Sequence, residues 1–207
     1  MGRLVDGLSQ PAAGEQVHFT FRNVFVGTAV TDATGTARIP VSIAGLSAAT
    51  YVNAVQAAHP ATAYLQYSNA NSDFVIDRAT PTITWNAPAP ITYGTALSSQ
   101  QLNASASTGG SFVYSPAAGT VLPAGTQTLG VTFTPFSSNY SSTTASVTLT
   151  VLQATPTITV NGGSFTYDGN AHAATGTVTG IGGVNLGPLT FTYDGSPNAP
   201  VNAGSYA

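Results

Sequence analysis

The chain has 207 residues, 43% hydrophobic and only 5% charged, with a formal net charge of −3. Cysteine and lysine are both absent, which excludes disulfides, Lys–Asn isopeptide cross-links and lysine-dependent phosphate loops. Four arginines against seven acids, with none after Arg78, exclude the basic surface that nucleic acid requires.

Residues 1–78 read as a first β domain. Leu4-Val5-Asp6-Gly7 looks like the tail of a strand with no partner before it. Val17, Phe19 and Phe21 alternate with His18, Thr20 and Arg22, the period of a half-buried strand. Val26–Thr31 and Thr36–Ile43 flank Asp32-Ala33-Thr34-Gly35, whose Asp and Gly suit a tight turn, so the pair predicts a hairpin. Thr50–Ala57 and Asp73–Asp77 supply two further strands.

Ala79-Thr80-Pro81-Thr82-Ile83-Thr84-Trp85 then returns 75 residues later as Ala154-Thr155-Pro156-Thr157-Ile158-Thr159-Val160. A near-identical heptapeptide at domain-sized spacing marks the start of a repeating unit. Proline suits a linker or a strand start, so each copy reads as linker plus first strand. Residues 79–153 form the second unit, with strands at Thr82–Trp85, Gly110–Tyr114, Thr126–Thr134 and Thr144–Val151. Ala87-Pro88-Ala89-Pro90 and Ser115–Gly119 are turn clusters between them. Residues 154–207 open a third unit. Asn161-Gly162, Asp168-Gly169 and Asp194-Gly195 are its turn signals, and Leu189, Phe191 and Tyr193 alternate with Thr190 and Thr192.

Two spacings support the repeat. Thr50 is followed by Tyr64 and then Val75, and Thr126 is followed at the same intervals by Tyr140 and Val151. Ala124-Gly125-Thr126 also matches Ala203-Gly204-Ser205. In that register the last strands of the third unit fall beyond Ala207, and the first unit lacks its opening strands. The expectation is a window on a longer array of all-β, tandem immunoglobulin-like β-sandwiches, elongated, with incomplete terminal domains at 1–78 and 154–207 and a complete one at 79–153.

The residues also resemble known families. Thr28–Ala37 and Ala44–Tyr51 look like bacterial immunoglobulin-like repeat domains, with their Thr-Asp-Ala turn and Tyr-bearing strand start. Asn139-Tyr140 matches the pair that closes such repeats. Ala48-Ala49 stands where Ala-Gly is usual, and Tyr64 follows Ala63 in place of Asn. Phe165–His172 through Pro200–Tyr206 resembles the MBG-type repeats of large bacterial surface proteins. The resemblance implies β-sandwiches in tandem, flanking domains of the same longer chain as partners, and a setting outside the cell.

Candidate chemistry is sparse. His18, His59 and His172 lie far apart, without the clustering that zinc needs. Asp73 and Asp77 fall on one strand face roughly 13 Å apart, wide for a glycosidase pair and better suited to solvated charge, with calcium the alternative. No Gly-x-Ser-x-Gly elbow occurs, and 79–153 holds no acid or histidine. Gly180-Ile-Gly-Gly183 is a turn-rich segment. Trp85 and the tyrosines could stack on sugars, but Trp85 alternates with Ile83 as a core residue would. No apolar run reaches the roughly 18 residues of a membrane helix. The nine Tyr, nine Phe and many β-branched residues set the chain apart from disordered sequences. Met1–Asp6 lacks the apolar core of an export signal, so the signal and any anchor would lie elsewhere. The expectation is a non-catalytic structural or spacer segment of a secreted or cell-surface bacterial protein, adhesion-related, with no catalytic, cofactor or metal residues. The alternatives are a carbohydrate- or protein-binding module, or accessory domains of a secreted enzyme.

Overall fold

The computed structural model describes residues 2–6 and 8–206. Met1, Ala207 and Gly7, the last residue of the expected Leu4–Gly7 strand tail, lie outside the described residues. The fold is all-β and of sandwich type. The one helical element among the described residues is a short 3-10 turn at Ile181–Gly183, inside the segment expected to be turn-rich. The chain divides into two compact units: Met1–Thr82 with Ser107–Ser111 and Thr134–Thr143, and Ile83–Ala106 with Phe112–Phe133 and Thr144–Ala207.

The first unit holds β1 (Gly2–Arg3), β2 (Gln16–Phe21), β3 (Val24–Val30), β4 (Thr36–Ala37), β5 (Ala49–His59) and β6 (Ser68–Ile76). An antiparallel sheet runs in the order β3-β2-β5-β6, and a second small sheet pairs β1 with β4. Alternation in β2 works as read: Val17, Phe19 and Phe21 are buried. Val17, Phe19 and Ala37 form the core, covered by Val26, Ala29, Ile39 and Ala57. The sheet thus packs its inner face against β4 and the segment that follows it.

Two local features are set by backbone chemistry. The Asp32 carboxylate accepts the N–H groups of Thr34 and Thr36 at 2.8 and 3.1 Å, and Gly35 takes φ +72°. The turn is therefore as the sequence predicts, but its second arm differs. Only Thr36–Ala37 of the expected Thr36–Ile43 strand makes a ladder, and it pairs with β1, not with β3. Pro40 has no N–H to donate. Ala37, Ile39 and Val41 still face inward while Arg38 and Pro40 are exposed. Leu4 is held from both sides, donating to the Gly35 carbonyl and accepting from the Ala12 N–H.

A bulge interrupts β5 between Tyr51 and Val55, where Asn53 takes φ +50°. Its freed N–H donates to the Asp73 carboxylate at 2.8 Å. Asn139 also belongs to this unit. Its side-chain oxygen caps the Ala48 N–H at 2.7 Å, and its carbonyl accepts the Ala79 N–H. Ser141 N–H returns a bond to the Ala79 carbonyl, making a parallel bridge between Ala79 and Tyr140. Asn139-Tyr140 thereby fixes the start of the first heptapeptide.

The second unit holds β7 (Ile83–Thr84), β8 (Ile91–Thr92), β9 (Ser105–Ala106), most of β10 (Gly110–Ser115), β11 (Gly125–Pro135) and β12 (Thr143–Leu152), and β13 (Thr157–Asn161) and β14 (Thr175–Thr179). Its main sheet has the order β10-β11-β12-β8, with β8 parallel to β12, while β7 and β9 pair separately. β8 and β9, two residues each, are absent from the sequence reading. Leu129, Leu149 and Val151 meet Leu97, Leu102 and Leu122 in the core, with Trp85, Ile91, Tyr114 and Val147 packed around them. Phe133, Leu129 and Leu149 are the most completely enclosed large side chains.

β13 and β14 form an antiparallel ribbon. No residue from Leu152 to Tyr206 is buried. Ile158 and Val160 on β13 remain about 60% exposed, while Gly176 and Val178 on β14 are half-buried, with the Leu189 and Phe191 side chains close to Gly176. Leu189, Phe191 and Tyr193 alternate with exposed threonines but make no ladder. The Asp194-Gly195 turn forms as predicted, with positive φ at both residues and two hydrogen bonds closing Tyr193 on Ser196.

Candidate functional site

The residues singled out by chemistry are dispersed. His59 is buried and its Nε2 lies 3.1 Å from Glu15 Oε2, while its Nδ1 has no partner. His18 stands on the opposite face of the same sheet, edge-on to Phe25. Asp73 serves the β5 bulge, and Asp77 lies just past β6, exposed. Trp85 is a core residue: its ring packs on Tyr114 at 5.4 Å and its Nε1–H donates to the Gln101 carbonyl at 3.0 Å. No cluster of three or more His, Cys, Asp or Glu suited to a metal exists among the described residues.

A concavity of about 550 Å³ lies within residues 160–206. Phe165 and His172 stack face to face on its wall, 4.3 Å apart with planes 8° from parallel. His172 Nε2 contacts Asp168 Oδ1 at 3.0 Å. The Asn170 backbone N–H, then the Asn170 side chain and His172, hold the Asp168 carboxyl below its ordinary value of 3.8. Tyr193 Oη accepts the Ala174 N–H, and Tyr206 Oη donates to the Asn202 carbonyl, so both rings are anchored through their hydroxyls. Phe165 and Tyr167 are mostly exposed. The groove offers aromatic faces and one imidazole–carboxylate pair, which suits contact with planar or polyol surfaces.

Nothing in the sequence pattern brings Phe165, His172, Tyr193 and Tyr206 together. Asp168-Gly169 was visible as a turn, but what the turn does is aim His172 back onto Phe165. That is a consequence of the i,i+4 reach across the Asx turn.

Residues 156–207 match a protein family described as the MBG domain, in agreement with the MBG-type resemblance of Phe165–Tyr206. No curated protein matches the chain. No helix among the described residues is long and apolar enough to cross a membrane.

Proposed function

We propose that the chain is a non-catalytic structural segment of a secreted or cell-surface bacterial protein, serving as an adhesion-related spacer built from repeated immunoglobulin-like units at 1–78, 79–153 and 154–207. The observation that carries this reading is a repeated strand order. In the first unit an 11-residue strand, β5, pairs with a 9-residue strand, β6, and β2 lies on the other side of β5. In the second an 11-residue strand, β11, is followed by a 10-residue neighbour, β12, with β10 on the other side of β11. Thr50 and Val75 are paired in the first hairpin, and Thr126 and Val151 take the same sequence spacing in the second. Sequences that otherwise differ are thus built to one plan. The uncharged stretch Ala79–Tyr167 and the MBG match at 156–207 support the same reading.

Two experiments test it. Source cells are fractionated and blotted with an antibody to 79–153. Recovery in the surface or medium fraction supports the assignment, and recovery in the cytoplasm refutes it. Pulling the chain from both ends should give discrete unfolding events attributable to separately folded units. One cooperative event for the whole chain would defeat the spacer model.

A further inference from the structure

We propose that the outer face of the β2-β5-β6 sheet is a binding site for a neutral saccharide, a role beyond that of a spacer. Strand register places Thr20, Gln56 and Asn71 in one row across the three strands and His18, Ala58 and Asn69 in the next. The inward neighbours Phe19, Phe21 and Ala57 belong to the other face. Ala58 sits among five larger polar residues and so forms the floor of a hollow of about 410 Å³, with Tyr67 on its rim. That volume falls in the range of about 300–1,000 Å³ typical of small-ligand sites. Tyr67 is 61% exposed, presenting its ring to solvent.

The chemistry selects the ligand. Apart from the imidazole of His18, the lining has no ionisable group but the Tyr67 phenol, so a charged ligand would surrender hydration for no counter-charge. Amides offer donors and acceptors side by side, the pattern that adjacent sugar hydroxyls match. Gln56 is held in place: its Oε1 accepts from Thr20 Oγ1 at 3.1 Å and its Nε2 donates to Asn23 Oδ1 at 3.2 Å. That leaves one N–H and one lone pair free. Among the described residues the Asn69 and Asn71 side-chain amides have no hydrogen-bond partner. An aromatic rim over neutral amides fits the apolar C–H face and hydroxyl edge of a pyranose. All six sheet residues stand on paired strands, so the site is rigid before a ligand arrives.

The test uses the full chain, isotope-labelled for NMR and titrated with maltotriose, cellotriose and chitotriose. The proposal expects a saturable shift of the Gln56, Asn69 and Asn71 side-chain amide signals with at least one of them, at a Kd of about 1 mM. Asn71→Ala should weaken that binding about three- to tenfold, as loss of one or two hydrogen bonds does. Ala58→Leu, which fills the floor and removes no hydrogen bond, should abolish it while the remaining spectrum stays folded. No saturable shift with any of the three sugars would overturn the proposal. So would shifts confined to the 160–206 groove, or an Ala58→Leu chain that binds as well as wild type.

Discussion

Leu129→Ala is the sharpest test of how the second unit is held together. Leu129 is fully enclosed on β11, between β10 and β12, against the cluster of Leu97, Leu102, Leu122, Leu149 and Val151. Truncation to alanine removes three carbons, about 2.4 kcal/mol of transfer free energy at ~0.8 kcal/mol per methylene. The cavity left in a site this enclosed raises the loss to about 3–4 kcal/mol. For a unit of this size that lowers Tm by roughly 12–30 °C. Trp85 is the sole tryptophan and packs on the same cluster, so its fluorescence reports the unfolding of this core directly. Val113→Ala on neighbouring β10 is the control: Val113 is 66% exposed and should lose less than about 0.5 kcal/mol. Denaturant titrations of the two variants followed by Trp85 emission decide the matter. If Leu129→Ala shifts stability by no more than the control, the core assigned to β11 is wrong.

Gly35→Ala should destabilise the first unit by at least about 2 kcal/mol, because φ is +72° and the new methyl would collide with the Leu4 carbonyl oxygen. Gly45→Ala, with φ +79° but open space around it, should lose only about 1 kcal/mol. Calorimetry showing equal losses would refute the close approach of Leu4. Hydrogen bonds from the Thr34 hydroxyl, then from the Thr36 and Thr34 backbone N–H groups, hold the Asp32 carboxyl below its ordinary 3.8. Its contribution to stability is therefore present above the unfolded value of 3.8 and lost as pH falls through the lower folded value. NMR titration should find the Asp32 midpoint below 3.8, and Asp32→Ala should flatten that part of the stability profile; a midpoint at or above 3.8 would contradict the turn geometry. Amide exchange should be fast across 154–206 and slow in β11 and β12, since no side chain from Leu152 to Tyr206 is buried. Equal protection in both regions would refute the reading of a segment without a buried core.

What the sequence determined by itself is the face each residue presents. Alternation identified β2 and its inward Val17, Phe19 and Phe21, because the pleat imposes a period of two on any extended segment. Local hydrogen bonding fixed the turns at Asp32–Gly35 and Asp194-Gly195 for the same reason: an Asp or Gly acts on backbone within a few residues of itself. Tertiary structure decided which extended segments acquire partners. Ile39 with Val41, and Leu189 with Phe191, alternate in burial as strands do and yet join no ladder. Conversely, β8 and β9 are too short to show a period and exist only because β12 and β7 lie alongside.

The heptapeptide and the tyrosine spacing show the limit most plainly. Pro81 is buried and Trp85 enters a core, while Val160 in the second copy stays about 58% exposed. Tyr140 is half-buried beside the bridge to Ala79, while Tyr64 at the same spacing is 95% exposed. The chemistry of the paired segments is nearly the same; what differs is whether distant chain arrives to cover them. Burial and strand pairing are relations between residues far apart in the sequence, and only the packed structure supplies the second member of each pair.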